Sequence, residues 1–244
     1  MNHRNILSFP IAVCIGLTLQ SISVPALAQP TSPVAQNHGT VDLVKSRAYI
    51  FVGKTGFGHD HGVEGKLKSG SVQLGAATSA GQLVFDMTSF DADTPAARRY
   101  VGLSGTTDAS TRQQVNANMK GADVLNVARY PTATFDIHSA QSLNQKTRDG
   151  HPIYRMTGDF TLHGVKKRIQ FNAFATPLGQ QVRLSGSFVI RQTQFGITPF
   201  SKAFGAVGVA DALKIFGDII IDPPAAGSQP TSSTATGVPA GGVR

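Results

Sequence analysis

The sequence predicts an all-β fold: a single closed antiparallel barrel of about eight strands, with one short helix beside or across it. Three observations carry this. Apolar and polar residues alternate with period two in many segments, short turns separate those segments, and Glu64 is the only glutamate among 244 residues. Alternation gives a strand one buried and one wet face. Short turns join consecutive strands into hairpins, hence an antiparallel meander. Scarcity of a good helix former, beside abundant Gly, Val, Thr, Phe and Ile, tilts the balance toward strands.

The strands are expected at 47–54, 63–74, 83–88, 133–139, 154–162, 167–175, 182–191 and 213–221. Leu83, Phe85 and Met87 share one face of the third. Phe135 and Ile137 oppose Asp136 and His138, and Ile169 and Phe171 oppose Arg168, Gln170 and Asn172. Leu184 and Phe188 oppose Arg183 and Ser185, while Leu213, Ile215 and Ile219 align on the last strand. The wet faces are polar along their length, which excludes a sheet buried on both sides. Eight strands that close on themselves remove their own edges. Residues 108–121 break the pattern: Asp108 or Ser110 caps a helix, Val115 and Met119 lie four apart, and Gly121 ends it. That helix packs across one end of the barrel, as a gate or as a plug.

The ends read differently. Residues 1–28 carry Arg4, an apolar run and Ala26-Leu27-Ala28, the order of a secretory signal peptide. Residues 29–40 are polar with two prolines and read as a flexible leader; 41–222 hold the barrel; 223–244 are a disordered tail too poor in apolar residues to offset chain entropy. Cys14, the single cysteine, lies in the signal, so the remaining chain forms no disulfide and its stability rests on core burial. The formal charge is +8; without the signal, 21 basic residues face 14 acidic ones, giving +7. A charge of this sign favours contact with an anionic membrane surface. With no aromatic-rich basic stripe and no zinc-finger spacing, nucleic acid is not an expected partner.

A tube of eight strands is filled by side chains or by a ligand. Leu83, Phe85, Phe135, Ile137, Phe160, Leu162, Ile169, Phe171, Leu184, Phe188, Ile215 and Ile219 are the candidates to line it, with Gly65, Gly186 and Gly217 leaving volume free. Arg191 and Phe195 are candidates for the pore mouth, and 199–209 for a lid or an ordered loop there. His59 and His61, two apart, are candidate metal ligands, with a third from His138, His151, His163 or an aspartate; the same residues also suit a glycine-flanked turn. Signals for catalysis are missing: Val101-Gly102-Leu103-Ser104-Gly105 lacks the spacing of a nucleophile elbow, Gly56-Phe57-Gly58 lacks a third glycine, and no paired carboxylates stand out. A binding protein rather than an enzyme is expected.

Three stretches resemble the YceI family of exported bacterial lipid-binding proteins: Tyr130-Pro131-Thr132-Ala133-Thr134-Phe135, Gly158-Asp159-Phe160-Thr161-Leu162-His163-Gly164-Val165-Lys166-Lys167, and Ile190-Arg191-Gln192-Thr193-Gln194-Phe195-Gly196-Ile197. The resemblance implies a lipocalin-like barrel, no required cofactor, and a bound isoprenoid or fatty-acyl lipid used in transport, storage or stress protection. The signal peptide at 1–28 implies a periplasmic location, and the chain is a candidate homodimer. Two other functions fit the residues: a periplasmic metal-binding or metal-dependent protein built on His59 and His61, and a lipid-free interaction module. The 89–107 stretch is longer than the family's smallest members lead one to expect, and Gly58-His59-Asp60-His61-Gly62 resembles a sub-branch variant near the first hairpin.

Overall fold

The computed structural model describes residues 39–222. The signal peptide, positions 29–38 of the leader and the 223–244 tail lie outside the described residues. Ten strands and two helices follow in order: β1 (Gly39–Thr40), β2 (Arg47–Gly56), β3 (His61–Val72), β4 (Gly81–Ala92), α1 (Pro95–Tyr100), α2 (Ala109–Lys120), β5 (Thr132–Lys146), β6 (Pro152–Leu162), β7 (Val165–Leu178), β8 (Gln181–Arg191), β9 (Ser201–Lys202) and β10 (Val207–Ile221). The eight long strands are the eight that alternation predicts, each extended at one or both ends or shifted by two residues. Positions 39–40 are not leader: they pair with the end of β3 as a two-residue strand.

The eight long strands form a ring in the order β3-β2-β10-β8-β7-β6-β5-β4, and β4 pairs back with β3 to close it. Every pairing in the ring is antiparallel. Closure runs from Val63 opposite Ala92 to Val72 opposite Gly81. Register shifts fall in β3–β4, β5–β6 and β10–β2. Such irregularities bend and twist strands, as a tight ring requires. At the β6–β7 turn, His163 and Gly164 both take positive φ (52° and 75°), the geometry that joins right-twisted strands with two residues.

The two longest connections, between β4 and β5 and between β8 and β10, gather at one end of the ring, beside the 57–60 turn that joins β2 to β3. The sequence predicts one helix; there are two. α1 escapes periodicity analysis because it spans six residues and packs flat on the ring's outer face. Its start is nonetheless signalled: the Thr94 hydroxyl accepts from Ala97 N (3.0 Å), with a proline in the first turn. Gly62 permits the approach, since a β-carbon there would lie 2.9 Å from the α1 backbone. Tyr100 then stacks on Tyr49, ring centroids 3.9 Å apart. α2 runs from the Asp108 cap to Gly121 with no fully buried residue. Polar clamps hold it: Asn116 and Arg112 bind Asp91, and Asn116 Oδ1 accepts from Ala92 N. Its Val115 and Met119 meet the apolar core.

Candidate functional site

Inward parity on each strand builds an apolar cavity of about 430 Å³ inside the ring. Leu83 and Phe85 from β4, Phe135 and Ile137 from β5, Phe160 and Leu162 from β6, Phe171 from β7, Leu184 and Phe188 from β8, and Ile215 and Ile219 from β10 all line it. The aromatic rings form one continuous wall. Phe171 stands 5.7 Å from Phe135 and 5.0 Å from Phe188, and Phe160 meets Phe188 edge-on at 5.6 Å. Alternation missed further lining residues, among them Ala48, Ile50 and Val52 of β2, Met156 of β6 and Ala173 of β7. The same parity rule finds them when it is carried along β2 and to the full length of β6 and β7.

Three predicted positions lie elsewhere. Ile169 has the inward parity of Phe171 but does not line the cavity. Its register partner is Gly158, and a β-carbon there would run into the Phe135 ring, so Phe135 and Phe171 make the wall at that level. Arg191 follows inward-facing Ile190 and therefore points out; it is 67% exposed and sits 3.8 Å from Asp211. Phe195 is 1% exposed: the turn Gln192–Phe195 turns its ring onto Phe160, and Gly196 ends that turn at φ 69°. It belongs to the core, not to a mouth. Of the three strand glycines, Gly65 leaves no free volume, since the Phe90 ring occupies the place of its β-carbon. Gly217 does leave it, the nearest heavy atom to a β-carbon there being Ile219 Cγ1 at 3.7 Å.

Polar lining residues come from one end only. His59 and His61, Thr111, Gln114 and Asn118 of α2, Gln192, and Lys202 of β9 ring the side of the cavity that faces the long connections. The 199–209 segment is an ordered flap here, with β9 paired to β10 and Phe200 and Lys202 reaching the cavity.

At this mouth Asp93 gathers a polar cluster. His61 Nδ1 donates to Asp93 Oδ2 (2.7 Å), His59 Nε2 lies 3.3 Å from the same oxygen, and the Thr107 hydroxyl donates to it (3.1 Å). Oδ1 accepts from Arg98 Nη1 (3.0 Å) and from Gly62 N (3.2 Å). The Arg98 guanidinium also binds the carbonyls of Asp60, Ser104 and Gly105. The Asp93 side chain is fully buried. Burial by itself pushes its carboxyl up, but the hydrogen bond and charge of His61, the Gly62 N–H and His59 outweigh that and hold it well below the usual carboxylate range. Of the third partners foreseen for His59 and His61, an aspartate is the one present. His138 pairs with Asp159 (3.2 Å), and His163 packs on Tyr130 in the β6–β7 turn. His59 precedes β3 instead of lying on it, yet the two imidazoles come within 4.5 Å, centroid to centroid.

A family model described as YceI-like domain matches residues 35–220. A UPF0312 protein of Azotobacter vinelandii is 37% identical over 82 residues, 33% of this chain and 40% of that protein. Protein YceI of Escherichia coli O157:H7 is 36% identical over 91 residues, 36% of this chain and 44% of that one. The matched stretches thus span less than half the length of these two curated relatives. Among solved structures, a polyisoprenoid binding domain from Saccharophagus degradans, implicated in plant cell wall breakdown, aligns with a TM-score of 0.51 at 13% identity, covering 76% of this chain and 98% of that one. At that identity the likeness concerns the fold.

Proposed function

This chain belongs to the YceI-like domain family, and we propose that it is an exported carrier that holds an isoprenoid or fatty-acyl chain inside its strand ring. The observation that carries this reading is the apolar cavity of about 430 Å³, walled by the ring and polar only at the end where the long connections meet. At ~30 Å³ per carbon, about the share of a water molecule in the liquid, it takes a chain on the order of a dozen carbons. Burying each methylene contributes roughly 0.8 kcal/mol, so the gross gain approaches ~10 kcal/mol before ordering costs, with no polar contact required. The shared fold with a polyisoprenoid binding domain supports an isoprenoid as the occupant. The lining supports binding over catalysis: it is aliphatic and aromatic apart from the rim.

The signal-like first 28 residues support export to the periplasm. Contact with a membrane is supported at the mouth itself. Phe57, Phe204 and Val207 are exposed there, and Phe57 forms a bridge with Val207. Lys54 and Lys202, both exposed, stand close by in sequence and suit an anionic headgroup layer. Incubation with anionic vesicles containing a prenyl lipid, followed by separation and extraction of the protein, tests carriage and docking together. Lipid is expected in the protein fraction, with uptake several-fold slower for the double variant Phe57→Ser, Phe204→Ser. A protein fraction free of lipid at equilibrium contradicts the carrier reading.

A further inference from the structure

The 57–61 turn and the end of β4 bring three metal-ligand side chains to one point, and we propose that His59, His61 and Asp93 bind a divalent first-row transition ion of the zinc class. His59 Nε2, His61 Nδ1 and Asp93 Oδ2 lie within 4.8 Å of one another, and among the described residues no other such group of three occurs. A tetrahedral zinc ion with bonds of about 2.0–2.2 Å holds its ligand atoms roughly 3.3 Å apart. The His59–Asp93 pair already has that spacing, at 3.3 Å. The His61–Asp93 pair, at 2.7 Å, has to open by roughly 0.6 Å to reach it, as the ion takes the place of the hydrogen they share.

The donor chemistry selects the ion. Two imidazole nitrogens and one carboxylate suit zinc and its first-row neighbours, whereas calcium and magnesium prefer all-oxygen sites. The carboxylate is positioned from behind. Arg98 and the Gly62 N–H occupy Oδ1, leaving Oδ2 as the ligand atom, the outer arrangement that orients metal-bound carboxylates. Arg98 is itself fixed by three backbone carbonyls, so the Asp93 side chain has little freedom to move away. Asp93 also holds a left-handed backbone (φ 56°) at the junction of β4 and the loop leading to α1. The fold alone does not call for both histidines. The His59 side chain is 43% exposed, so its ring is open to solvent and does not depend on Asp93 for a polar partner. The Thr107 hydroxyl stands beside the three ligand atoms, 3.1 Å from Asp93 Oδ2 and 3.2 Å from His59 Nε2, and both histidines line the cavity mouth, the side from which a fourth ligand enters. One carboxylate against two ionic charges, with Arg98 nearby, makes an anionic oxygen the favoured fourth ligand.

Metal uptake needs no bound lipid, so this proposal stands or falls separately from the carrier reading. The test is calorimetric titration of the chelator-stripped protein with Zn²⁺. One ion per chain is expected, weakened on the order of tenfold or more by His59→Ala and by His61→Ala, and unchanged by His138→Ala. No uptake by the wild type, or equal binding by wild type and the double histidine variant, overturns the proposal. A readout that needs no variant is Co²⁺ added to the wild type. The intense visible bands of a four-coordinate ion are expected, and the weak spectrum of an aqueous six-coordinate ion overturns it.

Discussion

Asp93→Ala is expected to lower stability by about 3–5 kcal/mol, the loss typical when one partner of a buried ion pair is removed. The Arg98 side chain is 9% exposed and faces Asp93 at 3.0 Å. Without the carboxylate a guanidinium stays buried with only neutral carbonyl partners, and the Gly62 N–H, also buried, loses its acceptor. The same substitution alters the acid limb of stability. The Asp93 carboxyl is held below its unfolded value of about 3.9, so its contribution is complete above that pH and is lost as pH falls from ~4 toward the lower folded value. Denaturant midpoints measured from pH 7 downward check both parts. The wild type is expected to lose more stability than the variant below pH ~4. A deficit under about 1 kcal/mol at pH 7 means that the carbonyls of Asp60, Ser104 and Gly105 satisfy Arg98 unaided.

Gly217→Leu is expected to weaken chain binding roughly a hundredfold while leaving the fold intact. Gly217 lines the cavity from β10, and a β-carbon there meets nothing closer than 3.7 Å. The new side chain therefore extends into the space proposed for the ligand without displacing backbone. Leucine brings four carbons; excluding as many from the bound chain costs about 3 kcal/mol at ~0.8 kcal/mol each, or about two decades in Kd. Strand stability does not suffer, because glycine is a poor strand interior residue. Titration with a prenyl or acyl probe, alongside a thermal melt, measures both quantities. Undiminished affinity in a folded variant means that the chain lies elsewhere.

The ring was legible because one rule, inward parity at period two, decides both which segments are strands and which side chains face inside. That rule put Phe135, Phe160, Phe171 and Phe188 on inward faces; the register then sets Phe135 opposite Phe160 and the ring of Phe171 5.0 Å from that of Phe188. It fails where a neighbour matters more than parity. Ile169 is displaced from the wall by the Phe135 ring over Gly158, and Gly65 is filled by Phe90, contacts between strands that a linear pattern does not encode. Arg191, one step after inward-facing Ile190, points outward by the same parity, away from the mouth. The Asp93 cluster was half legible. Two histidines two apart are visible in the sequence, but their partner lies 32 residues past His61, at the far end of β4, which the antiparallel β3–β4 pairing returns to the start of β3. The signal that marks Asp93 is its position just before the Thr94 cap and Pro95, where a helix must begin and the strand must end.

The protein purified gently from its host and weighed intact by native mass spectrometry tests the central claim most directly, that a hydrocarbon chain occupies the ring's interior. A mass above that of the polypeptide is expected, by the mass of one lipid, which organic extraction releases and identifies. A polypeptide of bare mass, unchanged after incubation with prenyl and acyl lipids, contradicts it.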